Sequence, residues 1–412
     1  MHPFGLVFLV LLAGAAAARW WLADRQLRHL SATAGDVPEP FRDAVTPEDH
    51  RRAAAYARSR VRAGRTEQLA QALLVAVLTV GGGVGALAGL GRSLDLPPWT
   101  VGTSLILAVA GLRGLVEVPF AAYRTFGIEA RFGYNRATPG LFLVDLLRGA
   151  ILSAVLGGLL AAAILLLMGK AGALWWVYAG AVWVAFSLGL TWVGPRWIAP
   201  LFNNFRPLED GELRRRIGDL LGRCGLTVAA VLVMDASRRT AHGNAYFSGL
   251  GSAKRVVLFD TLLDSLTPAE AEAVLAHELG HYRLGHIRRG LVLSALAGVA
   301  GLALLAGLRG QGWLYHGLGV AEPGDGALLA LALLIAPVFA FPLRPLLAAW
   351  SRRREREADA FALRHCPAPD LARALTKLFR DNAAPLEPDP LYARVYYSHP
   401  PPVERLARLQ AS

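Results

Sequence analysis

Cysteine is scarce in this chain of 412 residues, which contains only Cys224 and Cys366. Two thiols so far apart have neither the spacing of a cysteine zinc site nor the number that a disulfide framework requires. We therefore exclude both kinds of site. Both cysteines fall in segments that the charge pattern assigns to the cytoplasm, so we predict that they are reduced thiols.

Charged residues are also few. They make up 18% of the chain, against 54% hydrophobic residues, and the mean hydropathy is +0.39. This composition is far more apolar than that of an average soluble domain and is typical of a membrane protein. An apolar run of about 20 residues is long enough to cross a bilayer. Seven membrane spans are predicted, at residues 4–23, 68–90, 100–121, 140–168, 173–195, 290–308 and 327–349.

The arginines are distributed unevenly between the connections. Residues 25–65 and 124–136 are rich in Arg, as are the segment after the fifth span and the C-terminal tail. The connections near 91–99, 169–172 and 309–326 contain few Arg or Lys. Positively charged segments remain on the cytoplasmic side of a membrane. We therefore predict an N-terminus outside, with residues 196–289 and 350–412 on the cytoplasmic side.

The net charge is +12 and the isoelectric point is about 10.3. In a soluble protein this charge would suggest nucleic-acid binding. Here the membrane topology accounts for it, and basic and aromatic residues do not interleave. We expect a lipid bilayer and no nucleic acid as partner. The abundance of Ala, Leu and Arg is typical of a bacterial protein, which predicts the inner membrane of a bacterium.

The first apolar run ends in small residues at 13–18 and has an alternative interpretation as a cleaved signal peptide. The basic segment that opens a signal peptide is missing, and Arg19 and Arg25 follow the run instead. Arginines after the run hold its C-terminal end in the cytoplasm, and the Arg19 side chain extends to the membrane interface. We predict a retained first span.

Several charged residues fall inside the predicted spans, where a charge at mid-bilayer costs about 3 kcal/mol or more. They either lie near span ends and extend to the interface, or pair across helices and line a wet interior. We favour the second interpretation for these residues, which are Arg113, Glu117, Asp145 and Arg148.

Residues 196–289 and 350–412 are too long to be simple connections between spans. We predict that together they form one catalytic domain. Residues 1–195 then contribute the first five spans with their loops, and residues 290–349 contribute the sixth and seventh.

Two Val- and Leu-rich runs, 231–234 and 256–259, are bounded by turn residues and predict a small sheet before residue 267. Residues 242–249 are either an exposed edge strand that holds a substrate backbone by strand addition, or an ordinary strand bounded by Gly.

The segment 273–281 contains the motif His-Glu-x-x-His. On a helix, His277 and His281 lie about one turn apart on the same face, so both rings can reach one tetrahedral Zn²⁺. Glu278 lies beside the metal, where it can take a proton from a water molecule that the metal activates. This is the composition of a zinc peptidase site.

The surroundings of the motif favour a buried helix over a chance match on a surface helix with solvated histidines. Thr267, Pro268 and Glu270 are typical of a helix start, with a capping residue, a proline and an acid in the first turn. Apolar residues follow at helical spacing, and Gly280 is predicted to leave room next to the ion.

A catalytic zinc site needs a third protein ligand and an open position. Glu355 and Glu357 are both candidates on a downstream helix, and their spacing alone does not decide between them. Asp359 shares a face with Glu355 and can orient a ligating imidazole. His286 does not fit the metzincin pattern, because Leu284 and Ile287 occupy the positions where that pattern requires Gly and His.

With these motifs the chain resembles the integral-membrane CaaX prenyl proteases, the zinc metallopeptidases of the a-factor-converting type in family M48. The resemblance runs from the end of the third span almost to the C-terminus. Its matching stretches are Phe126–Glu129, Gly133–Asn135, Pro200–Asn203, Asn244–Tyr246, Lys254–Leu263, the metal helix through His286, Ser351–Arg352 with Glu355 and Asp359, and Ser398–Pro401 with Glu404–Arg405.

The resemblance implies a mainly α fold, in which about seven membrane helices form a barrel around a chamber and carry a gluzincin-like α+β zinc peptidase domain. It implies one Zn²⁺ per chain and Glu355 as its third ligand. It also implies that Asn244 contacts the substrate backbone, and that His399 and Arg405 bind substrate or stabilise charge at the scissile carbonyl.

The predicted function is zinc metalloendopeptidase activity on a peptide or protein substrate, which the resemblance implies to be a prenylated protein with a CaaX-like tail. Quality control of membrane proteins by the same mechanism is the alternative substrate class. An intramembrane site-2 protease is disfavoured because Arg283, Arg288 and Arg289 flank the motif. A non-catalytic scaffold is disfavoured because structural zinc sites carry four protein ligands.

Overall fold

The computed structural model describes residues 2–93, 95–249 and 254–411. Helices dominate these residues. In chain order they are α1 (Pro3–Ala32), α2 (Pro47–Leu78), α3 (Gly83–Arg92), α4 (Pro98–Ala122), α5 (Pro139–Lys170), α6 (Trp175–Val193), α7 (Ala199–Phe202), α8 (Glu212–Arg223), α9 (Asp260–Ser265), α10 (Pro268–Arg283), α11 (His286–Leu308), α12 (Gly312–Gly317), α13 (Asp325–Ala340), α14 (Arg344–Ala362), α15 (Ala368–Asp381), α16 (Pro390–Tyr396) and α17 (Pro402–Gln410).

Four short strands form one mixed sheet. They are β1 (Phe205–Pro207), β2 (Ala230–Met234), β3 (Ala245–Ser248) and β4 (Arg255–Phe259). Their order is β1-β2-β4-β3, with β2 parallel to β4 and the two outer strands antiparallel to their neighbours. The small sheet predicted from the Val- and Leu-rich runs is confirmed, and β3 lies at its edge.

The prediction of seven spans is confirmed, although one of the spans is bent. Six helical segments of the described residues are long and apolar enough to cross a membrane, and the bent pair α2 and α3 gives a seventh when it is counted as one span. The six are Pro3–Ala32, Pro98–Glu129, Pro139–Lys170, Gly172–Phe202, His286–Leu308 and Asp325–Ala362.

The prediction of one continuous span at residues 68–90 was wrong. α2 ends at Leu78, and α3 begins at Gly83 after a bend of 53°. Glycines occupy positions 81–83, and Gly82 has φ +81°, a left-handed conformation that other residues adopt at a cost. An apolar run carries no mark of such a bend, because hydropathy does not register backbone conformation.

The spans form a thin wall. Only 6% to 28% of the most apolar window of each of the six segments is buried inside the protein. Helices in a solid bundle cover one broad face against their neighbours, whereas helices in a single layer leave two faces uncovered. The low burial therefore indicates a single-layer wall, as a barrel around a chamber requires.

The charged residues in the spans contact polar groups of other elements. Asp145 accepts two hydrogen bonds from Arg239, at 2.8 and 3.0 Å, and Arg148 donates to the carbonyl oxygen of Leu201 at 2.7 Å. Arg239 lies beyond the sheet strand β2, so its contact with Asp145 ties the region of the sheet to α5. Pairing across elements reduces the cost of these charges in the membrane.

Glu117 lies 3.7 Å from Arg124, which also pairs with Glu67 of α2. Arg113 receives a hydrogen bond at its carbonyl oxygen from Gln71 at 3.0 Å, and its guanidinium lies 3.5 Å from the carbonyl oxygen of Leu333. These contacts also join neighbouring helices.

The two largest hydrophobic cores are separate. One contains residues of α1 to α6 and α11 to α13, including Phe8, Met168 and Trp175. The other contains residues of β2 to β4, α8 to α10, α14, α15 and α17, including Leu258 and Leu275. The second core is assembled from two stretches of chain that α11 to α13 separate in the sequence.

The two cysteines pack in the second core, and both are free thiols. Burial raises the pKa of Cys366 to about 12, and Glu272 acts in the same direction. Only the thiolate reacts with an alkylating agent, so Cys366 should react with iodoacetamide at pH 8 at least about 100-fold more slowly than free cysteine. Mass spectrometry of alkylated protein, with and without denaturant, measures this. Rapid labelling of the folded protein would contradict the predicted burial.

Candidate metal centre

Two helices present the site, and each is joined to a membrane span. α10 begins with the predicted cap, because Glu270 N donates to the Thr267 hydroxyl at 3.4 Å and Thr267 N donates to Glu270 Oε2 at 2.9 Å. α10 ends at Arg283, and Gly285, at φ +69°, turns the chain directly into the span α11. α14 continues the span α13 through one 3-10 turn at Phe341–Leu343.

The histidines of the motif meet the carboxylate of α14. His277, His281 and Glu355 each offer a ligand atom, and these atoms lie within 4.8 Å of one another. The two Nε2 atoms are 3.2 Å apart, and they lie 3.4 and 3.3 Å from the oxygens of Glu355. Two nitrogens and a carboxylate oxygen in this arrangement are the ligand set of a catalytic zinc site.

A second, independent observation indicates that these residues fit a metal ion. Glu355 Oε2 is buried and has no hydrogen-bond partner among the described residues. A buried carboxylate oxygen without a donor is costly unless a cation neutralises it. A metal ion between Glu355 and the two imidazoles would satisfy that oxygen.

Asp359 and Arg405 lie behind His277. His277 Nδ1 donates to Asp359 Oδ1 at 2.8 Å, which leaves the lone pair of Nε2 directed at the ligand cluster. Arg405 is buried and donates to both oxygens of Asp359, at 2.6 and 2.9 Å. The contacts place Asp359 where the sequence predicted an orienting carboxylate, and they bind Arg405 to the same carboxylate.

The electrostatics of His277 favour a cation. Burial lowers the pKa of His277 and Arg405 acts in the same direction, but the nearby carboxylates of Asp359 and Glu355 raise it to about 9. The carboxylates therefore stabilise positive charge at this position, and a metal ion supplies that charge in exchange for the proton.

A second set of contacts lies behind His281, and sequence reasoning missed it. His281 Nδ1 is 3.0 Å from Nδ1 of His286, a fully buried residue whose Nε2 is 3.0 Å from Glu357 Oε2. Since Glu357 accepts from Nε2 of His286, the Nδ1 of that ring is free to accept from His281. The Nε2 lone pair of His281 is then directed at the cluster. The sequence signal for this contact was the pair Gly285-His286, directly after the helix that carries the motif.

This contact also separates the two glutamates that the sequence left as alternatives. Glu357 binds His286 and accepts from Arg353 at 3.0 Å, outside the cluster of candidate ligand atoms. Glu355, two residues earlier on α14, lies against both histidines of the motif.

Glu278 borders the site without joining the ligand cluster. Burial raises its pKa, Glu355 acts in the same direction, and both histidines and Arg405 oppose the shift. No hydrogen bond engages its carboxylate within the described part of the chain. A carboxylate with a raised pKa is suited to take up and release a proton near neutral pH.

Gly280 lies at the contact between α10 and α14 and not next to the ligand atoms. A Cβ at this position would be 3.1 Å from Cα and O of Ala358 and from Cβ of Phe361. The expectation that it leaves room for the ion was therefore wrong. The missing side chain lets the two helices approach closely, which brings Glu355 within reach of the histidines.

A cavity of about 450 Å³ opens in front of the cluster and is called the catalytic cavity. It is lined by His277, Glu278, His399 and Arg405, and by residues 243–245 at the start of β3. The exposed Asn244 lies there, and its carbonyl oxygen accepts from the backbone of Phe259. His399 Nε2 is 3.5 Å from Glu355 Oε2, with 61% of its side chain exposed. The cavity therefore brings together the ligand cluster, a carboxylate and the edge of a sheet.

The fold and the site define a class, the multi-pass membrane metallopeptidases. Residues 207–412 match Peptidase family M48, and residues 26–204 match the CAAX prenyl protease N-terminal domain with its five membrane helices. The chain belongs to this family. The recognition of an M48 membrane peptidase from the motifs is confirmed.

Similar proteins support the same assignment along the whole chain. CAAX prenyl protease 1 of Saccharomyces cerevisiae is 31% identical over 99% of this chain and 96% of its own. The CAAX prenyl protease 1 homolog of Arabidopsis thaliana is 36% identical over 74% and 72%. The crystal structure of S. mikatae Ste24p superimposes with a TM-score of 0.92 at 26% identity, over 99% of both chains. This match confirms the predicted fold class, a helical barrel around a chamber.

Proposed function

We propose that this protein hydrolyses peptide bonds with one Zn²⁺ per chain, held by His277, His281 and Glu355. The observation that carries the proposal is the convergence of their three ligand atoms within 4.8 Å, together with the unpartnered oxygen of Glu355. Two nitrogens and one carboxylate oxygen suit zinc, and they leave a fourth position open for water or substrate. Three ligands with an adjacent carboxylate argue for catalysis over a structural zinc in a non-catalytic scaffold.

Glu278 is the proposed general base and acid. A bound Zn²⁺ supplies a polarised carbonyl and an attacking water of lowered pKa. Glu278 takes the proton from that water and passes it to the nitrogen of the leaving amine. Its raised pKa favours the first transfer, because a carboxylate with an ordinary pKa would be a weaker base toward that water.

The edge strand β3 is the proposed backbone-binding element for substrate. Asn244 precedes it in the catalytic cavity, and among the residues that the structure describes β3 has a partner strand on one side only. Backbone groups at such an edge can pair with an extended peptide. We propose that Asn244 binds the peptide backbone and that His399, which is exposed beside Glu355, binds substrate or stabilises charge at the scissile carbonyl.

We propose a positioning role for Arg405, narrower than the resemblance implied. Its Nε and Nη2 both donate to Asp359, which in turn accepts from His277. The guanidinium therefore holds the carboxylate that orients a metal ligand. Outer partners of this kind tune metal affinity and ligand orientation.

A prenylated protein with a CaaX-like C-terminal tail is the proposed substrate class. Its support is the name CAAX prenyl protease that the yeast and plant relatives carry, and the similarity to Ste24p along the whole chain. Removal of damaged membrane proteins by the same chemistry is the competing proposal. Its support is the Ala-, Leu- and Arg-rich composition, because prenylated proteins are expected to be scarce in bacteria.

One assay tests the chemistry and the substrate class together. Purified protein in micelles is incubated with one peptide in a prenylated and an unprenylated form, with and without a zinc chelator. We expect hydrolysis of the prenylated peptide that stops on chelation. Equal turnover of the two forms would favour general proteolysis, and hydrolysis that survives chelation would contradict the proposed metal site.

The catalytic domain is proposed to face the cytoplasm, because the arginine-rich connections and the catalytic segments lie on the same side of the spans. We propose that this domain consists of residues 196–289 and 350–412, between and after the membrane segments 1–195 and 290–349. Placement in a bacterial inner membrane rests on composition alone, and the relatives described above are eukaryotic.

His286→Ala is expected to lower metal affinity by about 10- to 100-fold, the range typical of lost outer partners of a metal ligand. The ring of His281 would lose the acceptor that fixes its tautomer. Competition with a fluorescent zinc chelator measures the affinity. His316→Ala, at an exposed histidine of the connection before the seventh span, is the control that should leave the affinity unchanged. Unchanged affinity in His286→Ala would contradict the role of this contact.

A further inference from the structure

A second cavity adjoins the catalytic cavity. It has a volume of about 470 Å³, is called the arginine cavity, and lies between α1, α2 and the segment 382–397. Five residues line both cavities: Asn382, Ala384, Pro385, Tyr396 and Tyr397. A volume of this size is within the range of ligand-binding cavities. The arginine cavity therefore lies directly beside the catalytic cavity.

The lining of this cavity is positively charged. Arg19, Arg60 and Arg65 line it, and none of its described lining residues is Asp or Glu. Arg19 and Arg60 have no carboxylate within 4.0 Å in the described part of the chain, and Arg65 reaches only Asp24, at 4.0 Å. A cavity lined by one sign of charge concentrates ions of the opposite sign.

Two of these arginines are held in place without being neutralised. Arg65 lies 3.8 Å above the ring of Trp20, and Arg19 lies 4.7 Å above the ring of Phe341. The Nε atoms of both guanidinium groups are buried and have no hydrogen-bond partner among the residues described. Buried donors without acceptors are rare in folded proteins, so these two groups favour a partner that is an acceptor.

Arg60 is the most accessible of the three. Its side chain is exposed to the cavity and makes one hydrogen bond, of 3.4 Å, to the hydroxyl of Tyr56. Arg60 also lies near Tyr397, which lines both cavities. Burial raises the pKa of Tyr397, and Tyr392 acts in the same direction, so its hydroxyl keeps its proton at neutral pH. A protonated phenol and a guanidinium are both hydrogen-bond donors to an anion.

We propose that the arginine cavity binds the C-terminal carboxylate of the peptide substrate, with Arg60 as its principal partner. This inference rests on the proposed function, because a CaaX-like tail ends in a free carboxylate a few residues beyond the cleaved bond. The five residues that line both cavities favour one peptide that reaches from one cavity to the other over a separate ligand. A phosphate of an anionic lipid headgroup shares the chemistry, and the test below distinguishes it.

The test uses the full chain carrying Glu278→Gln, so that binding is measured without hydrolysis. A fluorescent peptide with a CaaX-like tail is prepared as the C-terminal acid and as the C-terminal amide, and binding is followed by anisotropy. We expect the acid to bind roughly tenfold more tightly, since a hydrogen bond to a charged group contributes more than one to a neutral group.

Adding Arg60→Gln should lower the affinity for the acid peptide to that for the amide peptide. The affinity for the amide peptide should not change. Arg60→Lys should restore part of the preference, because it keeps the charge. The matched control is Arg62→Gln, at an exposed arginine of the same helix that does not line the cavity. It should retain the full preference, which excludes a general effect of net charge.

Equal binding of acid and amide by the Glu278→Gln protein would overturn the proposal, as would equal weakening of both peptides by Arg60→Gln. A lipid arm repeats the measurement in nanodiscs of phosphatidylcholine with and without phosphatidylglycerol. If Arg60→Gln changes only lipid binding, the site belongs to a headgroup and the proposal fails. The proposed peptidase function is tested separately, and it fails if the unsubstituted protein does not hydrolyse the peptide.

Discussion

Replacing Glu278 with Gln is expected to lower the rate of peptide hydrolysis by roughly 10²- to 10⁴-fold, the contribution typical of a general acid and base. Glutamine has the same shape but cannot take up the proton of the attacking water. Glu278 lies outside the ligand cluster, so the zinc content of the variant should equal that of the parent protein. Steady-state assays and metal analysis of the same preparation measure both effects.

The control for this substitution is Glu209→Gln, at a glutamate whose side chain is 82% exposed and lies far along the chain from the motif. It makes the same chemical change without entering the catalytic cavity, and its turnover should match that of the parent. If Glu278→Gln retained its turnover, the proposed proton transfer would be wrong. If it lost its metal together with its activity, the experiment would assign Glu278 a ligand role.

The parts of this structure that could be predicted from the sequence depend on contacts within one element. The cap of α10 involves residues three apart, and the pairing of His277 with His281 follows from helical spacing. The membrane spans follow from hydropathy, because their length must match the bilayer. Such features leave a pattern in a short window of sequence.

The parts that could not be predicted depend on backbone turns and on contacts between distant segments. The bend after α2 results from the conformation of residues 79–82, which an apolar run does not reveal. The contact of His286 with His281 requires the left-handed turn at Gly285, and the ion pair of Asp145 with Arg239 joins residues 94 apart in the chain. No periodic pattern records these contacts.

The arrangement around the metal helix explains why single glutamates have separate roles. α14 carries Glu355, Glu357 and Asp359 on neighbouring positions of one helix, and each contacts a different histidine or pair of histidines of the same site. Glu355 faces the Nε2 atoms of both motif histidines, whereas the other two carboxylates lie behind a ring. A substitution at each position should therefore affect metal binding to a different degree.

Glu355→Gln is expected to weaken metal binding by more than about 100-fold, beyond the loss typical of an outer partner. The amide is a poor ligand for zinc, and the site would lose the negative charge that offsets the ion. The matched variant is Glu357→Gln, two residues along the same helix. Its amide oxygen still accepts from His286, so the histidine contact persists and purified protein should retain close to one metal ion per chain.

Two measurements separate the variants: metal content by mass spectrometry, and metal affinity by competition with a chelator. Thermal unfolding in the presence of chelator shows whether each variant is folded. Loss of metal from Glu357→Gln with retention in Glu355→Gln would reverse the ligand assignment. Retention in both would place the metal elsewhere, because the remaining two imidazoles do not complete a catalytic zinc site.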